Sequence, residues 1–233
     1  RTYGARFLRF VVVAYLGMKG IGLTLLNSAM LPIFQQLGVA SSNFQLASMV
    51  ANTPWAAKGW IGVLSDCFPI GRYHKRGYLL LTSYPGLAAT CALFTVPVLR
   101  LGQFWLWPVS ALFFLANLQY ATLDLLTEGK YAELMREKEA GPEILSLIWV
   151  CHHVGSLVAA CFYAGLMYVY GVQPILAISM VPALTGVVMV KRGAVPEHPA
   201  RNFAALREKL WSQPRMFMLA FIMAVGLILI AVV

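Results

Sequence analysis

Long apolar stretches separated by short polar breaks run along the whole chain. Residues 20–57 and 78–99 carry no charged side chain. A helix of about 20 apolar residues is long enough to cross a bilayer core of about 30 Å. The pattern therefore predicts six membrane-spanning helices and the start of a seventh, near residues 7–36, 44–65, 77–99, 104–127, 143–169, 172–190 and 216–233.

The composition narrows the fold class. Hydrophobic residues make up 60% of the 233 residues and charged residues only 12%, whereas soluble domains have about 25% charged residues. The four cysteines are scattered without a ligand-like spacing, so neither a metal site nor a cofactor is expected. No G-x-S-x-G or H-E-x-x-H motif indicates an enzyme. The sequence predicts an all-α polytopic membrane protein.

The basic residues are distributed unevenly between the two sides of the predicted membrane. Of the 18 Lys and Arg, all but three fall in the amino-terminal segment and the loops of one side. The exceptions are Arg100 on the other side and Lys19 and Lys58 inside spans. Because Lys and Arg accumulate in cytoplasmic loops, we expect the amino terminus to be cytoplasmic. The net charge of +9 then reflects topology and gives no reason to expect nucleic acid as a partner.

The order of the segments suggests half of a larger transporter. We expect an amino-terminal six-helix bundle at 1–190, a basic cytoplasmic linker at 191–215, and the start of helix 7 at 216–233, where the chain is cut. Transporters built from paired repeats bind substrate between the repeats, near the bilayer midplane. A second half is therefore an expected partner and would supply the other wall of the site.

Two motifs resemble known transporters. Residues 62–66, "GVLSD", followed by Gly71-Arg72 and Lys75-Arg76, resemble the loop between helices 2 and 3 of the major facilitator superfamily. The inserted "FPIG" with Lys58 upstream resembles the folate–biopterin transporter family, as does "DLLTEGKYAELM" at 124–135. The resemblance implies a major-facilitator-type fold and secondary transport of folate or biopterin by alternating access, coupled to protons as a symport.

The loop motif itself is interpreted as a topology anchor and gate hinge that does not contact substrate. A glycine allows close helix approach, and the aspartate is placed to cap or pair with a neighbouring helix end. The basic residues hold the loop on the inner side and contact anionic membrane lipids. The motif residues are Gly62, Asp66, Gly71, Arg72, Lys75 and Arg76.

Ionisable residues inside the spans are the stronger candidates for chemistry, because each costs about 2.5–3.5 kcal/mol to insert at a helix centre. Lys19 falls near the midplane, and Lys58 in the inner part of its span. Asp124 and Glu128 are four residues apart, on one helix face, where repulsion lets them share a proton. The candidates for substrate binding or proton coupling are Lys19, Lys58, Asp124, Glu128, Asn117 and His152.

Two interpretations of these residues remain open. In the first, Asp124, with Glu128 as the second choice, accepts the N–H edge of a pterin or carries the coupled proton, while the lysines neutralise an anionic substrate. In the second, Lys58 pairs with Asp124 or Glu128 in a network that only holds helices together. For His152 a helix–helix hydrogen bond is the favoured alternative, and for Trp55 packing is favoured over stacking on substrate.

The substrate and the state of the chain also have alternatives. Another heterocyclic solute, such as an adenosyl compound, fits the residues as well as folate or pterin does. A truncated membrane fragment that transports nothing is the other alternative. In each case we expect an integral, multi-pass protein, in the plasma membrane or an organelle membrane.

Overall fold

The chain folds into a bundle of helices. The computed structural model describes residues 4–71, 73–95, 102–137 and 143–197, and six isolated helical positions between 214 and 226. These ranges contain no strand beyond one isolated bridge between Ile70 and Tyr73. The main elements are α1 (Ala5–Val12), a π-helical segment (Val13–Gly22), α2 (Leu23–Gln36), α3 (Ser41–Ala56), α4 (Lys58–Cys67), α5 (Lys75–Thr95), α6 (Leu106–Glu137), α7 (Glu143–Tyr170) and α8 (Gln173–Lys191).

Five helical stretches in the described ranges are long and apolar enough to cross a membrane: Ala5–Gln36, Lys75–Thr95, Gln103–Arg136, Glu143–Tyr170 and Gln173–Lys191. The all-α polytopic fold is therefore confirmed. The count is one lower than the six predicted spans, because the predicted span at 44–65 is not one continuous helix. The predicted seventh span and most of the linker lie outside the described residues, apart from the isolated positions.

The interruption of the second predicted span has a local cause. Pro54 lies in the last turn of α3, and a proline lacks the N–H that would bond to the carbonyl four residues before it. α3 ends at Ala56, with the N–H of Ala57 donating to the Thr53 carbonyl at 3.0 Å. Lys58 then begins α4. The break therefore places this lysine at the start of a new helix, inside the bundle.

The first predicted span is continuous but irregular, since the π-helical segment separates α1 from α2. α7 packs closely against this segment. A Cβ added at Gly20 would lie 2.8 Å from the Gly155 Cα, and one added at Gly155 would lie 2.3 Å from the Leu16 carbonyl oxygen. Only glycines allow this approach of two backbones, which is the packing that small residues provide in membranes.

The long helix α6 is the centre of the bundle. It packs against α3, α4, α5 and the π-helical segment. Its 32 residues span about 48 Å at 1.5 Å per residue, so it extends beyond a hydrocarbon core of about 30 Å. Its buried polar residues face protein and not lipid; they are Ser110, Asn117, Gln119, Thr122, Asp124, Thr127 and Lys130.

The two ends of the bundle are distinguishable. At one end α1, α5 and α7 begin and α4, α6 and α8 finish, which follows from the alternating direction of the helices. The described basic residues outside the bundle interior collect there, including Arg6, Arg9, Lys75, Arg76 and Arg192. We call this the basic end.

Candidate functional site

Asp124 joins two lysines inside the bundle. Lys19 donates to its Oδ1 at 2.8 Å, and Lys58 donates to its Oδ2. The Asp124 side chain is only 2% exposed, whereas the side chains of Lys19 and Lys58 are 20% and 22% exposed. The cluster connects the π-helical segment, α4 and α6. Three of the six predicted site residues are therefore in direct contact.

Both lysines stand on interrupted helices. Lys19 lies within the π-helical segment, and Lys58 is the first residue of α4, directly after the break at Ala57. Short π-helical stretches occur frequently at functional sites, and transporters commonly build ion and substrate sites on discontinuous helices. The irregular backbone is therefore concentrated where the buried charges meet. The sequence signals were Pro54 and the glycines around Lys19, but they did not predict these particular breaks.

The accessible surface of the cluster is cationic. Two ammonium groups and one carboxylate leave a formal charge of +1, and each carboxylate oxygen of Asp124 already accepts a lysine. Aromatic rings support the lysines, with Lys19 Nζ 5.5 Å from the Tyr15 ring centroid and Lys58 Nζ 4.7 Å from that of Trp55. Such contacts stabilise a desolvated ammonium. The accessible groups of the cluster are therefore the ammonium groups of Lys19 and Lys58, and not the carboxylate of Asp124.

Asn117 acts on the cluster through Trp55. Trp55 donates its Nε1–H to Asn117 Oδ1 at 2.9 Å, and Asn117 Nδ2 donates to the Phe113 carbonyl at 3.1 Å. Asn117 is fully buried, so both ends of its amide are used inside the protein. Its placement orients the ring on which Lys58 rests. From the sequence we favoured packing over substrate stacking for Trp55. The hydrogen bond to Asn117 was not predicted, because an aromatic residue in the sequence does not indicate which residue its N–H will contact.

The remaining predicted residues lie beside the cluster. Glu128 is half-buried, one turn nearer the basic end, and makes no ion pair or side-chain hydrogen bond within the described ranges. His152 packs its ring against Trp149 and His153, with centroids 6.3 and 5.1 Å apart. Its Nδ1 is buried without a hydrogen-bond partner among the described residues. Neither side chain joins the contact between Asp124 and the lysines.

The loop motif lies at the basic end. Gly62 faces Leu125 of α6, since an added Cβ would be 3.5 Å from that side chain, and Gly71 has a φ of +70° in the turn. Asp66 lines a cavity of about 350 Å³ together with Lys75 of α5 and with other residues of α4 and α6. Arg72 lies outside the described residues. The described residues of the motif thus lie around a cavity beside α6, and they form no ion pair or side-chain hydrogen bond with the Asp124 cluster.

A carboxylate from beyond α8 caps α5. The backbone N–H groups of His74, Lys75 and Arg76 donate to the two oxygens of Glu197 at 2.7, 2.7 and 3.1 Å. Arg76 also donates to the Lys191 carbonyl at 2.6 Å. An anion is stabilised at a helix N-terminus, so the end of α8 and the start of α5 are fastened together. From the sequence we expected such a role for Asp66, and nothing in the sequence indicated Glu197.

A second carboxylate cluster also lies at the basic end. Glu133 accepts Lys130 at 3.0 Å and Lys75 at 3.3 Å through one oxygen. Lys75 therefore has a protein partner, where the sequence suggested membrane lipid. Among the described residues there is no group of three or more His, Cys, Asp or Glu placed to hold a metal ion.

Five membrane-length helices in the described ranges, packed with a buried charge cluster, define an integral multi-pass membrane protein. The chain belongs to the BT1 family, a transporter family, whose model matches residues 19–233. It is also 25% identical over 209 residues to "Probable folate-biopterin transporter 4" of Arabidopsis thaliana. That match covers 86% of this chain and 40% of the relative, so the chain spans less than half of the relative's length. No solved structure matches the chain.

Proposed function

We propose that this chain forms the first half of a proton-coupled secondary transporter for folate-type pteridines, which works by alternating access. The observation that carries the proposal is the Lys19–Asp124–Lys58 cluster inside the bundle. Ionisable groups inside a membrane usually mark a substrate or ion pathway. The similarity to a protein named as a folate–biopterin transporter supports the substrate class.

The charge of the cluster favours a substrate that carries a carboxylate. Asp124 is almost fully buried and each of its oxygens already accepts a lysine, so little of the carboxylate is accessible to the N–H edge of a pterin. The lysines are the accessible partners, and a carboxylate is a strong acceptor for an ammonium. One substrate carboxylate would neutralise the formal +1 of the cluster. Folate offers carboxylates for this purpose, whereas biopterin offers none.

Asp124 is the group that would carry the coupled proton. Protonating it removes the charge that holds the two lysines and raises the formal charge of the cluster from +1 to +2. The protonated cluster therefore attracts an anion more strongly than the unprotonated one. Binding of a proton and binding of an anionic substrate then favour each other, which is the requirement for symport.

The basic end is placed in the cytoplasm by the same proposal, following the charge asymmetry of membrane proteins. The α4–α5 loop and the Glu197 contact then lie on the cytoplasmic side. The six-helix bundle provides one wall of the pathway, and a second half provides the other near the midplane. In this proposal the substrate binds between the two halves, in contact with Lys19 and Lys58.

Uptake into proteoliposomes tests the proposal. Full-length protein would be reconstituted and the uptake of radiolabelled folate measured with external pH varied. We expect acidification outside to increase uptake, and unlabelled folate to compete far better than biopterin. Equal competition by biopterin would disprove selection through the carboxylate. An uptake rate that does not change with external pH would disprove proton coupling.

A further inference from the structure

A second cavity lies at the basic end, apart from the Asp124 cluster, and none of the described loop-motif residues lines it. Its volume is about 450 Å³, and it is lined by Arg6, Arg9, Met189, Arg192 and Ala194. The start of α1 supplies two of these side chains, and the end of α8 with the residues after it supplies the rest. Three arginines therefore line one cavity between two helix ends.

These arginines differ from Lys75 and Lys130 at the same end. Lys75 and Lys130 form ion pairs with Glu133. In contrast, none of the three arginines forms an ion pair with a described carboxylate, and Glu197 is held by the backbone of α5. The side-chain bond that Arg9 makes here runs from Nε to the Ala5 carbonyl at 3.2 Å, which leaves its terminal nitrogens available.

The chemistry of the lining indicates the ligand. A guanidinium group binds phosphate oxygens through two parallel hydrogen bonds, whereas a lysine ammonium acts as a single point charge. Arg6 and Arg9 are three residues apart, so they lie on the same face of α1. Met189 and Ala194 add an apolar wall, and the cavity lies where two membrane helices reach the interface. Basic pockets between membrane helices are suited to anionic lipid head groups.

We propose that this cavity binds a phosphate group, supplied by the head group of an anionic phospholipid whose glycerol and acyl region lies against the apolar wall. The lipid then bridges α1 and α8, the first and last helices of the bundle. A soluble phosphate compound has the same charged group but no apolar part. It would use the arginines and leave the apolar wall uncovered, which favours the lipid as the source.

The test uses full-length protein in nanodiscs that contain either phosphatidylcholine alone or phosphatidylcholine mixed with phosphatidylglycerol. Co-purified lipid is measured by native mass spectrometry. We expect the protein to retain phosphatidylglycerol preferentially. In the variant Arg9→Gln/Arg192→Gln this preference should fall about 25-fold, a factor of about five for each arginine. Unchanged preference in that variant would overturn the proposal.

A matched control removes two charges of the same end that do not line the cavity. Arg136→Gln/Lys191→Gln carries the same change in net charge, and both side chains are exposed. We expect it to retain the lipid preference, and an equal loss would show general attraction to the basic end instead of a site. If Arg9→Gln/Arg192→Gln does not fold, Arg192→Gln alone replaces it, with an expected loss of about fivefold.

Inorganic phosphate separates the two sources of the ligand. It would be titrated into protein in phosphatidylcholine nanodiscs while the apparent Tm is followed, and phosphatidylglycerol would be compared at matched phosphorus. We expect phosphatidylglycerol to raise the apparent Tm and inorganic phosphate to leave it unchanged. Equal stabilisation by inorganic phosphate would overturn the assignment to a lipid.

Discussion

Two carboxylates on α6 each hold two lysines, but they do so in different surroundings. Asp124 binds Lys19 and Lys58, and Glu133 binds Lys75 and Lys130. The carboxylates are nine residues apart, or about 13.5 Å along the helix axis. The two clusters have the same groups and the same formal charge. They differ in position, in burial and in the oxygens used, since Asp124 accepts its lysines through two oxygens and Glu133 through one.

Burial and the origin of the partners separate the two clusters. The Asp124 side chain is 2% exposed, and its lysines come from two other elements of the bundle. The Glu133 side chain is 34% exposed, and Lys130 is a neighbour on its own helix. Burying a charge costs free energy, so a buried charge depends strongly on its partner. An ion pair near water contributes little to stability. We therefore expect the Asp124 cluster to matter for the stability of the whole bundle and for the proposed pathway, and the Glu133 cluster to affect one end only.

Replacing the buried carboxylate should have the largest effect. Asp124→Asn leaves two ammonium groups facing each other inside the membrane without a counter-charge. Removing one partner of a buried ion pair costs about 3–5 kcal/mol. We therefore expect a large fall in the apparent Tm of the detergent-solubilised protein, together with loss of folate uptake. Thermal unfolding followed by tryptophan fluorescence would measure the first effect.

A charge-balanced double variant separates stability from transport. Asp124→Asn/Lys58→Met removes one charge of each sign and restores the formal +1 of the cluster. We expect most of the lost stability to return while uptake stays low. Recovery of uptake in the double variant would contradict a direct role for these side chains in transport.

Lys58→Met tests the difference between the two clusters directly. It removes an accessible ammonium but leaves Asp124 paired with Lys19, so folding should be maintained. Loss of a close charge contact with substrate costs about 2 kcal/mol or more, so we expect folate uptake to fall about 30-fold. Lys130→Met makes the same substitution in the Glu133 cluster and should leave uptake near that of wild type. Similar losses in the two variants would remove the distinction.

The fold could be predicted from the sequence to a large extent because the bilayer constrains helix length and polarity. The apolar stretches located the spans, and the costly charges located Lys19, Lys58 and Asp124. The interruption at Ala57 was not predicted, although Pro54 was visible, because proline within a membrane helix often causes only a kink. The π-helical segment was missed because several backbone patterns can accommodate the glycines around Lys19.

The partners of the charged residues were harder to predict than their positions. Spacing along one helix suggested a proton shared between Asp124 and Glu128, and one of the two open interpretations paired Lys58 with Asp124 or Glu128. The structure pairs Lys58 with Asp124 and adds Lys19, a partner that the sequence did not indicate. Glu197 was missed because it is 122 residues from the Lys75 backbone that it caps. Such long-range contacts depend on how the helices pack, and periodicity along one helix carries no information about that.

Glu197→Gln should have an intermediate effect at the basic end. The amide keeps an oxygen to accept one or two N–H groups of α5 but loses the charge that the helix N-terminus stabilises. A charge in this position contributes about 0.3–1 kcal/mol. We expect a small fall in apparent Tm and faster backbone hydrogen exchange at residues 74–76. Unchanged exchange there, measured by mass spectrometry, would show that the cap does not hold the start of α5.

Glu133→Gln should have the smallest effect, and it tests whether burial is the property that separates the two clusters. The side chain is one-third exposed, so water replaces much of what the substitution removes. Ion pairs near the surface contribute about 0–1 kcal/mol. We expect an apparent Tm close to that of wild type, and a small remaining difference that salt reduces, because exposed charges are screened. A salt-insensitive loss as large as that of Asp124→Asn would mean that the lysine pairs themselves, and not their burial, determine stability.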